Sequence, residues 1–375
     1  MTAEREPTGP GLEAALPTRR LRTGTELTEI GLGGAQLGNL LRAMPDENAT
    51  ALVRVAHEHG VRYFDTAPHY GLGLSERRLG AALTATEADG GADVPGSDPA
   101  DRDLPGAGVP AVVSTKVGRL LVPSPTTAHR RDSEGFDVAA TAERAWDFSR
   151  DGILRSVEDS LERSGRTRFD ILYLHDPDEH WAAASTTGIG ALVELRDQGV
   201  VSTVGVGMNQ AAMLTRFVER TDVDVVMVAG RLTLLDQSAL ALLEAARRND
   251  VGVVAAGVFN SGLLGNDQVR VSGTYDYRTA PADVVARAHA VAEVCHAHGV
   301  SLPAVALQYP LRHDAVRSVV VGADGPEQAL ENLRRREVPV PEDLWAELDA
   351  AGLVPDPAGP SQGAPTTSPR GAGAP

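Results

Sequence analysis

Residues 60–83 read GVRYFDTAPHYGLGLSERRLGAAL. The apolar run over 61–65, with Tyr63 and Phe64 supplying β-propensity, predicts a buried strand that ends on Asp65. Pro68 and Gly71 then mark a turn, and Ser75 with Glu76 just after it predicts a helix over 75–83. Asp65 and Tyr70 therefore stand just past the carboxyl end of a strand, the end at which α/β barrels collect their chemistry. A buried carboxylate beside a phenol calls for a cation. Lys116 offers one, at the close of the next strand candidate, VVSTK. A third strand candidate, FDILYLH, closes on His175.

The same period runs through the chain. Apolar runs near residues 28, 63, 114, 172, 205, 227, 254 and 319 read as strands. Helices are expected over 46–59, 75–83, 150–164, 188–198, 210–220, 238–249, 283–298, 304–312, 326–336 and 341–351. Asp46 is the expected N-cap of the first, and Pro326 opens the one after the last strand. Strands alternating with helices make parallel βαβ units, and eight such units predict one (β/α)8 TIM barrel of the α/β class. Residues 20–33 (RLRTGTELTEIGLG) predict an N-terminal β-hairpin leading into the first strand, and 341–351 an extra C-terminal helix. The barrel is expected to span 18–353 as one domain, with 118–148 as a long irregular loop. Residues 1–17 read as a disordered leader and 354–375 as a low-complexity, disordered tail. Residues 85–110 hold almost no large apolar side chain and read as a disordered insertion, because strand alternation resumes directly afterwards with AVVSTK.

Of the 375 residues, 42% are hydrophobic, enough for a sizeable core, and the formal net charge is −16 with a pI near 5.1. That charge argues against nucleic acid and against anionic membrane surfaces as partners, since both want basic patches. No apolar run approaches the length of a membrane span, and the N-terminus lacks a signal pattern, so a cytoplasmic location is expected. Cys295 is the single cysteine, which excludes an intramolecular disulfide and a cysteine-rich metal site. GLGGAQLG (31–38) is not a dinucleotide fingerprint, because Gln36 stands where the third glycine belongs.

Taken singly, Asp65 and Lys116 read as a structural ion pair, Tyr70 as a turn aromatic and His175 as a core histidine. Taken together, with three of them closing strands, they are the parts of a hydride-transfer site that uses a phenol as acid and base. The segments DTAPHYGLGLSERRLGAAL, STK and LYLH, in that order, resemble the aldo-keto reductase family, over roughly Leu21 to Leu353. AWDFSRDGILRS, LHDPDEHW, GMNQ, LLDQSAL and AAGVFNSGLL resemble its sugar-dehydrogenase branch, that of L-fucose dehydrogenase and D-threo-aldose 1-dehydrogenase.

The resemblance implies Tyr70 as the proton donor or acceptor, Lys116 lowering the phenol's pKa, Asp65 holding Lys116, and His175 bonding near the substrate oxygen. His69, Trp146, Asp147, His180 and Trp181 follow strands and are candidates for the substrate side; an aromatic face beside carboxylates suits a polyhydroxylated ring. HDPDEH (175–180) mixes imidazole and carboxylate as some metal sites do. Its acidic residues read more simply as a solvated loop or as acceptors for sugar hydroxyls, and no metal is expected.

The resemblance also implies a nicotinamide dinucleotide across the barrel mouth. Gly33 and Gly34 form a small-residue floor, Asn209 holds the carboxamide, and Val258, Phe259, Asn260, Ser261 and Gly262 wrap the pyrophosphate. Glu331 and Asn332 read the adenine. Gly322 and Gln328 stand where NADPH-using relatives carry cations, and Asp324 repels a 2′-phosphate while accepting from a free ribose hydroxyl. NAD is therefore the expected cofactor, with NADP as the alternative. The expected reaction oxidises the anomeric hydroxyl of an aldose of the L-fucose, L-galactose or D-arabinose type to a lactone. The alternatives are oxidation of pyridoxal or another alcohol and, in another class, a non-catalytic dinucleotide-binding regulatory subunit.

Overall fold

The computed structural model describes residues 16–89, 110–270, 273–276 and 278–357. Eight parallel strands close into a barrel: β1 (Ile30–Gly33), β2 (Tyr63–Asp65), β3 (Val112–Val117), β4 (Ile171–His175), β5 (Thr203–Met208), β6 (Val225–Ala229), β7 (Gly252–Ala256) and β8 (Val316–Val321). Around them run α1 (Asp46–Glu58), α2 (Leu74–Asp89), α3 (Arg150–Ser164), α4 (Ile189–Asp197), α5 (Ala211–Arg220), α6 (Leu240–Arg248), α7 (Ala282–Ala297), α8 (Leu302–Gln308) and α9 (Pro326–Glu337). A further helix, α10 (Glu342–Ala350), is the expected C-terminal addition. Each strand neighbours the next in sequence, and β8 closes onto β1.

Alternation along the strands divides the apolar side chains between two cores. Val113 and Val117 of β3 and Leu172 and Leu174 of β4 face the helices. Tyr63, Ile171, Tyr173, Val225, Met227, Val254 and Val320 fill the barrel interior. The expected hairpin is present, Thr18–Arg20 against Glu26–Thr28, and its Leu21 and Leu27 join that interior cluster as a plug. A Cβ on Gly252 would stand 2.2 Å from Leu21 Cδ2, so the glycine makes room for the plug. Register then fixes the mouth: Gly33 pairs with Asp65, Asp65 with Ser114, Lys116 with Tyr173, and His175 with Gly207.

Several expectations need correcting. Residues 118–148 are not an irregular loop: Arg119–Pro123 pairs antiparallel with Ala142–Trp146, from Arg119 opposite Trp146 to Pro123 opposite Ala142. The helix expected to stop at Leu83 runs on to Asp89, because TATEAD offers alanine and glutamate and no glycine or proline before Gly90. Residues 85–89 thus belong to α2, and 90–109 of the expected insertion lie outside the described residues. Pro45, in extended conformation, is the N-cap of α1, and Asp46 is its first helical residue, paired to Arg78. Leu16 is buried in the core and the Pro17 carbonyl accepts from Glu29 N–H, so the leader ends before them. Val354 is buried, the Pro355 carbonyl accepts from Tyr309 and Asp356 pairs with Arg312, so 354–357 pack on the barrel. Residues 1–15 and 358–375 lie outside the described residues. Among the described residues no single helix is long and apolar enough to cross a membrane.

Candidate active site

The mouth of the barrel opens into a cavity of about 980 Å³, floored by Asp65, Tyr70, Lys116 and His175. Lys116 Nζ donates to Asp65 Oδ2 at 2.6 Å, to the Thr66 carbonyl at 3.0 Å and to Tyr70 Oη at 3.1 Å, which uses all three of its protons. Tyr70 Oη thus accepts from a cation, and its own proton is free for the cavity. Behind Asp65 a polar chain fills the barrel axis. Ser114 Oγ lies 2.7 Å from Asp65 Oδ1 and 3.2 Å from Tyr63 Oη, and Tyr63 Oη lies 3.1 Å from Tyr173 Oη.

Burial works against the Lys116 ammonium, but Asp65 and Tyr70 outweigh it and hold the lysine above its ordinary value. The phenol goes the other way from expectation. Burial pushes Tyr70 up to about 12; Lys116 pulls down, as anticipated, but Asp65 adds to the rise. At neutral pH Tyr70 is therefore a proton-carrying acid. His175 is held well below the ordinary histidine value by burial and by Lys116, so its ring is neutral. Its Nε2 stands 3.5 Å from Asp176 Oδ2, and Nδ1 is buried with no partner among the described residues.

Asp176 has a left-handed backbone, φ 43°, rare outside glycine and paid for elsewhere in the fold. That turn brings its carboxylate to 3.3 Å from Arg119 Nη1. Burial raises Asp176 to about 6, against the pull of Arg119. Arg119 itself stacks over Trp146, 4.7 Å from guanidinium carbon to ring centroid. Sequence reasoning missed Arg119 and Arg144 because both stand on the unrecognised hairpin. It also missed Glu76, which looks like a helix-start acid yet is fully buried against Arg163 Nε, 2.6 Å away, and Thr115 Oγ1, 2.8 Å away.

Three of the five substrate candidates, His69, Trp146 and His180, line the cavity; Asp147 and Trp181 do not. The Asp147 carboxylate accepts from Ser149 N–H and Oγ and pairs with Arg155, so it serves the start of α3. Trp181 packs on Phe217 beneath Arg216. Gly33, Gly34, Asn209 and Gly322 also line the cavity, with Ala256 and Gly257. A Cβ on Gly34 would fall 2.6 Å from Ser75 Oγ and 2.8 Å from the Asp65 carbonyl, so β1 can lie this close to Asp65 only as glycine. Val258, Phe259, Asn260, Ser261 and Gly262 follow β7 without lining the cavity. Val258 is core, and Phe259 lies under Arg335. At the end where the adenosine is expected, Gln328 Oε1 accepts from Asp324 N–H, 2.6 Å, and Gly322 packs against Gln36. Asp324 pairs with Arg42 at 2.9 Å, Glu331 stands near Arg334 and Arg335, and buried Asn332 accepts from Arg335.

A family model described as aldo/keto reductase matches residues 29–352. The chain belongs to the aldo/keto reductase family. It is 42% identical over 341 residues to a D-threo-aldose 1-dehydrogenase of a Pseudomonas species, covering 89% of this chain and 97% of that one. It is 35% identical over 356 residues to a pyridoxal 4-dehydrogenase of Microbacterium luteolum, covering 89% and 96%. Among solved structures, the holo form of an aldo-keto reductase from Bacillus halodurans superposes with a TM-score of 0.67 at 22% identity, covering 92% of this chain and 99% of that one, a likeness of fold. This aldo/keto reductase is an oxidoreductase of the kind that works with NAD or NADP. Its residues fit such a cofactor: Asn260, 3% exposed and next to the cavity wall, keeps both amide atoms without a partner among the described residues, as a side chain reserved for a ligand would.

Proposed function

We propose that this aldo/keto reductase oxidises the anomeric hydroxyl of a free aldose, of the L-fucose, L-galactose or D-arabinose type, to the lactone, with NAD preferred. The observation that carries the reading is the Asp65–Lys116–Tyr70 chain, 2.6 Å and 3.1 Å link by link, in a cavity lined also by Arg119, Glu134, Asp176, Asp178 and Glu179. The 42% identity to a named aldose dehydrogenase supports the substrate class.

Gly33, Gly34 and Asn209 would hold the nicotinamide, which in its oxidised form would supply the acceptor for the hydride of the anomeric carbon. Tyr70 takes the proton of the anomeric hydroxyl, and in reduction returns it. Lys116 holds the phenol oxygen in place and favours its charged form. Asp65, gripped by Ser114, keeps the ammonium aimed. Neutral His175 gives the substrate oxygen a second neighbour. Trp146 and His180, stacked at 6.1 Å and 23°, offer an aromatic wall to a sugar face. The same wall suits a flat heteroaromatic ring, so pyridoxal is the second substrate to test.

The NAD preference rests on Asp324, Gln328 and Gly322. Neither position where NADPH-using relatives carry cations bears one here: Gly322 lies against Gln36, the Gln328 amide oxygen is taken by Asp324 N–H, and the nearby Arg42 is engaged by Asp324. The same reading has the enzyme at work in the cytoplasm, in keeping with Cys295 as a buried free thiol. The deciding experiment follows nicotinamide reduction by the purified protein with NAD⁺ and NADP⁺ separately, against a panel of aldoses and pyridoxal. Turnover of L-fucose or D-arabinose with NAD⁺ is the expected result. Turnover of pyridoxal alone moves the assignment to the second substrate, and a kcat/KM with NADP⁺ equal to or above that with NAD⁺ overturns the cofactor preference.

A further inference from the structure

His69 is the residue before Tyr70, and its ring is wedged into the site. Ring centroids lie 5.5 Å from His175, 5.9 Å from Tyr70 and 5.1 Å from Phe136. From the hairpin strand Ala142–Trp146, Arg144 reaches back to grip it. Arg144 Nε donates to His69 Nδ1 at 2.6 Å, and Nη2 donates to the His69 carbonyl at 3.1 Å. The rest of the guanidinium holds Asp132 through two bonds, Nη1 at 2.6 Å and Nη2 at 2.9 Å. The Arg144 and Asp132 side chains are only 7% and 3% exposed, so this clamp sits away from water.

A guanidinium nitrogen has no lone pair to offer and can only donate. Nδ1 of His69 must therefore be the acceptor, and the proton of the neutral ring must sit on Nε2. Nε2 has no protein partner among the described residues and is not among the enclosed polar atoms, while His69 lines the cavity. The ring thus leaves one N–H, and no lone pair, for the cavity that His69 lines.

We propose that His69 is a substrate-contacting specificity residue that serves only as a donor, and that Arg144 and Asp132 are positioning residues which fix its tautomer. The inference rests on the reading of this cavity as the site of alcohol oxidation, and it narrows the substrate class. The reacting carbon of a cyclic aldose is flanked by a ring oxygen and a hydroxyl, both of which carry lone pairs. A fixed donor bonds such an oxygen and discriminates against substrates with only carbon next to the reacting centre.

The surroundings keep the ring neutral. Charged and titratable groups reach it from every side: Lys116 of β3, Arg119 and Arg144 of the hairpin, His175 and Asp176 at the end of β4, Glu134 and Asp132 between the hairpin strands, and Tyr70 beside it. Burial, then Arg119, Arg144 and Lys116, push His69 down to about 2. The donor is therefore expected to persist across the working pH range.

Nitrogen NMR of the full-length protein labelled at histidine, from pH 8 to about pH 5, tests the tautomer without any substrate. The His69 signal, assigned by its loss in His69→Gln, is expected as a neutral ring protonated on Nε2 and unmoved by pH. A ring protonated on Nδ1, or one that titrates in that range, overturns the proposal. The positioning role is tested in Arg144→Met/Asp132→Asn, which removes both charges and leaves no buried ion alone, with Arg144→Lys as a second variant that keeps the charge. In the double variant Nδ1 loses its only donor, so the neutral ring should sample the form protonated on Nδ1, whereas Arg144→Lys, still only a donor, should keep more of the Nε2-protonated form. KM for the aldose should rise roughly two- to tenfold in the double variant, the worth of one hydrogen bond, with a smaller change in kcat and none in dinucleotide affinity. Unchanged KM and tautomer in both variants also overturns the proposal. Should no aldose be turned over, the substrate reading fails by itself, and the NMR result still decides whether the clamp exists.

Discussion

In the proposed reaction Tyr70 carries a proton that it loses in oxidation and gives in reduction. Tyr70→Phe removes only the group that moves it, so dinucleotide affinity should stay and turnover should fall by about 10² to 10⁴. Single-turnover rates alongside a fluorescence titration of the dinucleotide check both halves, and undiminished turnover would falsify the acid–base role. Lys116 tests the sign of the electrostatics. With the phenol raised to about 12, oxidation, which needs the base form, should speed up with rising pH. Reduction, which uses the phenol, should be nearly flat near neutrality. Lys116→Met removes the one large downward influence on Tyr70, so the oxidation profile should shift to still more alkaline pH while reduction changes less. A shift toward acid would mean that the ammonium does not act through the phenol. At the other end of the cavity, Asp324→Ala frees Arg42 from its 2.9 Å partner and removes a charge that repels a 2′-phosphate. The ratio of kcat/KM for NADP⁺ to that for NAD⁺ should therefore rise; an unchanged ratio would show that this corner does not meet the ribose.

At the scale of elements, the site depends on how closely two loops approach. Gly38, in the turn after β1, lies directly against the Tyr70–Gly71 backbone. A Cβ at Gly38 would stand 2.5 Å from the Tyr70 carbonyl carbon and 2.7 Å from its oxygen. Backbone cannot swing aside as a side chain can, so Gly38→Ala must push Tyr70 off its place over Lys116. A displacement of about 1 Å at a reacting group costs on the order of 10² in rate. The expected result is a kcat loss of that size with the fold retained by circular dichroism, and wild-type kcat would show that the loops yield without moving the phenol. Much of this arrangement was legible in the sequence. The strand–helix period gave eight β/α units, and Asp65, Lys116 and His175 end apolar runs that register then aligns. What was hidden is tertiary. The hairpin of Arg119–Pro123 and Ala142–Trp146 has short strands, one ending in proline, and draws on Arg119 over Trp146 and on the bridge from Leu40 to Phe136. Since Arg119 and Arg144 arrive on it, both looked like loop residues. Asp147 and Trp181 stand on the right loops but turn to α3 and to Phe217, a choice of rotamer and packing that spacing does not encode.

The whole molecule links the site to acid stability. A histidine in the unfolded chain takes a proton near pH 6.5. His175 is held well below that value by burial and nearby cations, and His69 is pushed down to about 2 for the same reasons. Below about pH 6.5 the unfolded chain therefore binds protons that the folded protein refuses, and stability falls as pH falls. Buried His175 alone contributes up to about 1.4 kcal/mol per pH unit in that range. Asp176 acts in the opposite sense. Its folded value of about 6 lies above that of an unfolded aspartate, about 3.9, so between those values the folded protein binds the extra proton and regains stability. Fully buried Glu76, raised by burial against Arg163, adds to that offset. Acid loss should accordingly begin near pH 6.5 and then be slowed below about pH 6 by a carboxylate of the active site itself. Urea unfolding from pH 7.5 to about pH 5.5, above the pI near 5.1 where the net charge that keeps the chain soluble vanishes, resolves the two contributions. Asp176→Asn should lose stability more steeply than wild type below pH 6 and match its slope above pH 6.5. Parallel curves throughout would mean that Asp176 is an ordinary solvated carboxylate and that its left-handed turn beside His175 stores no proton.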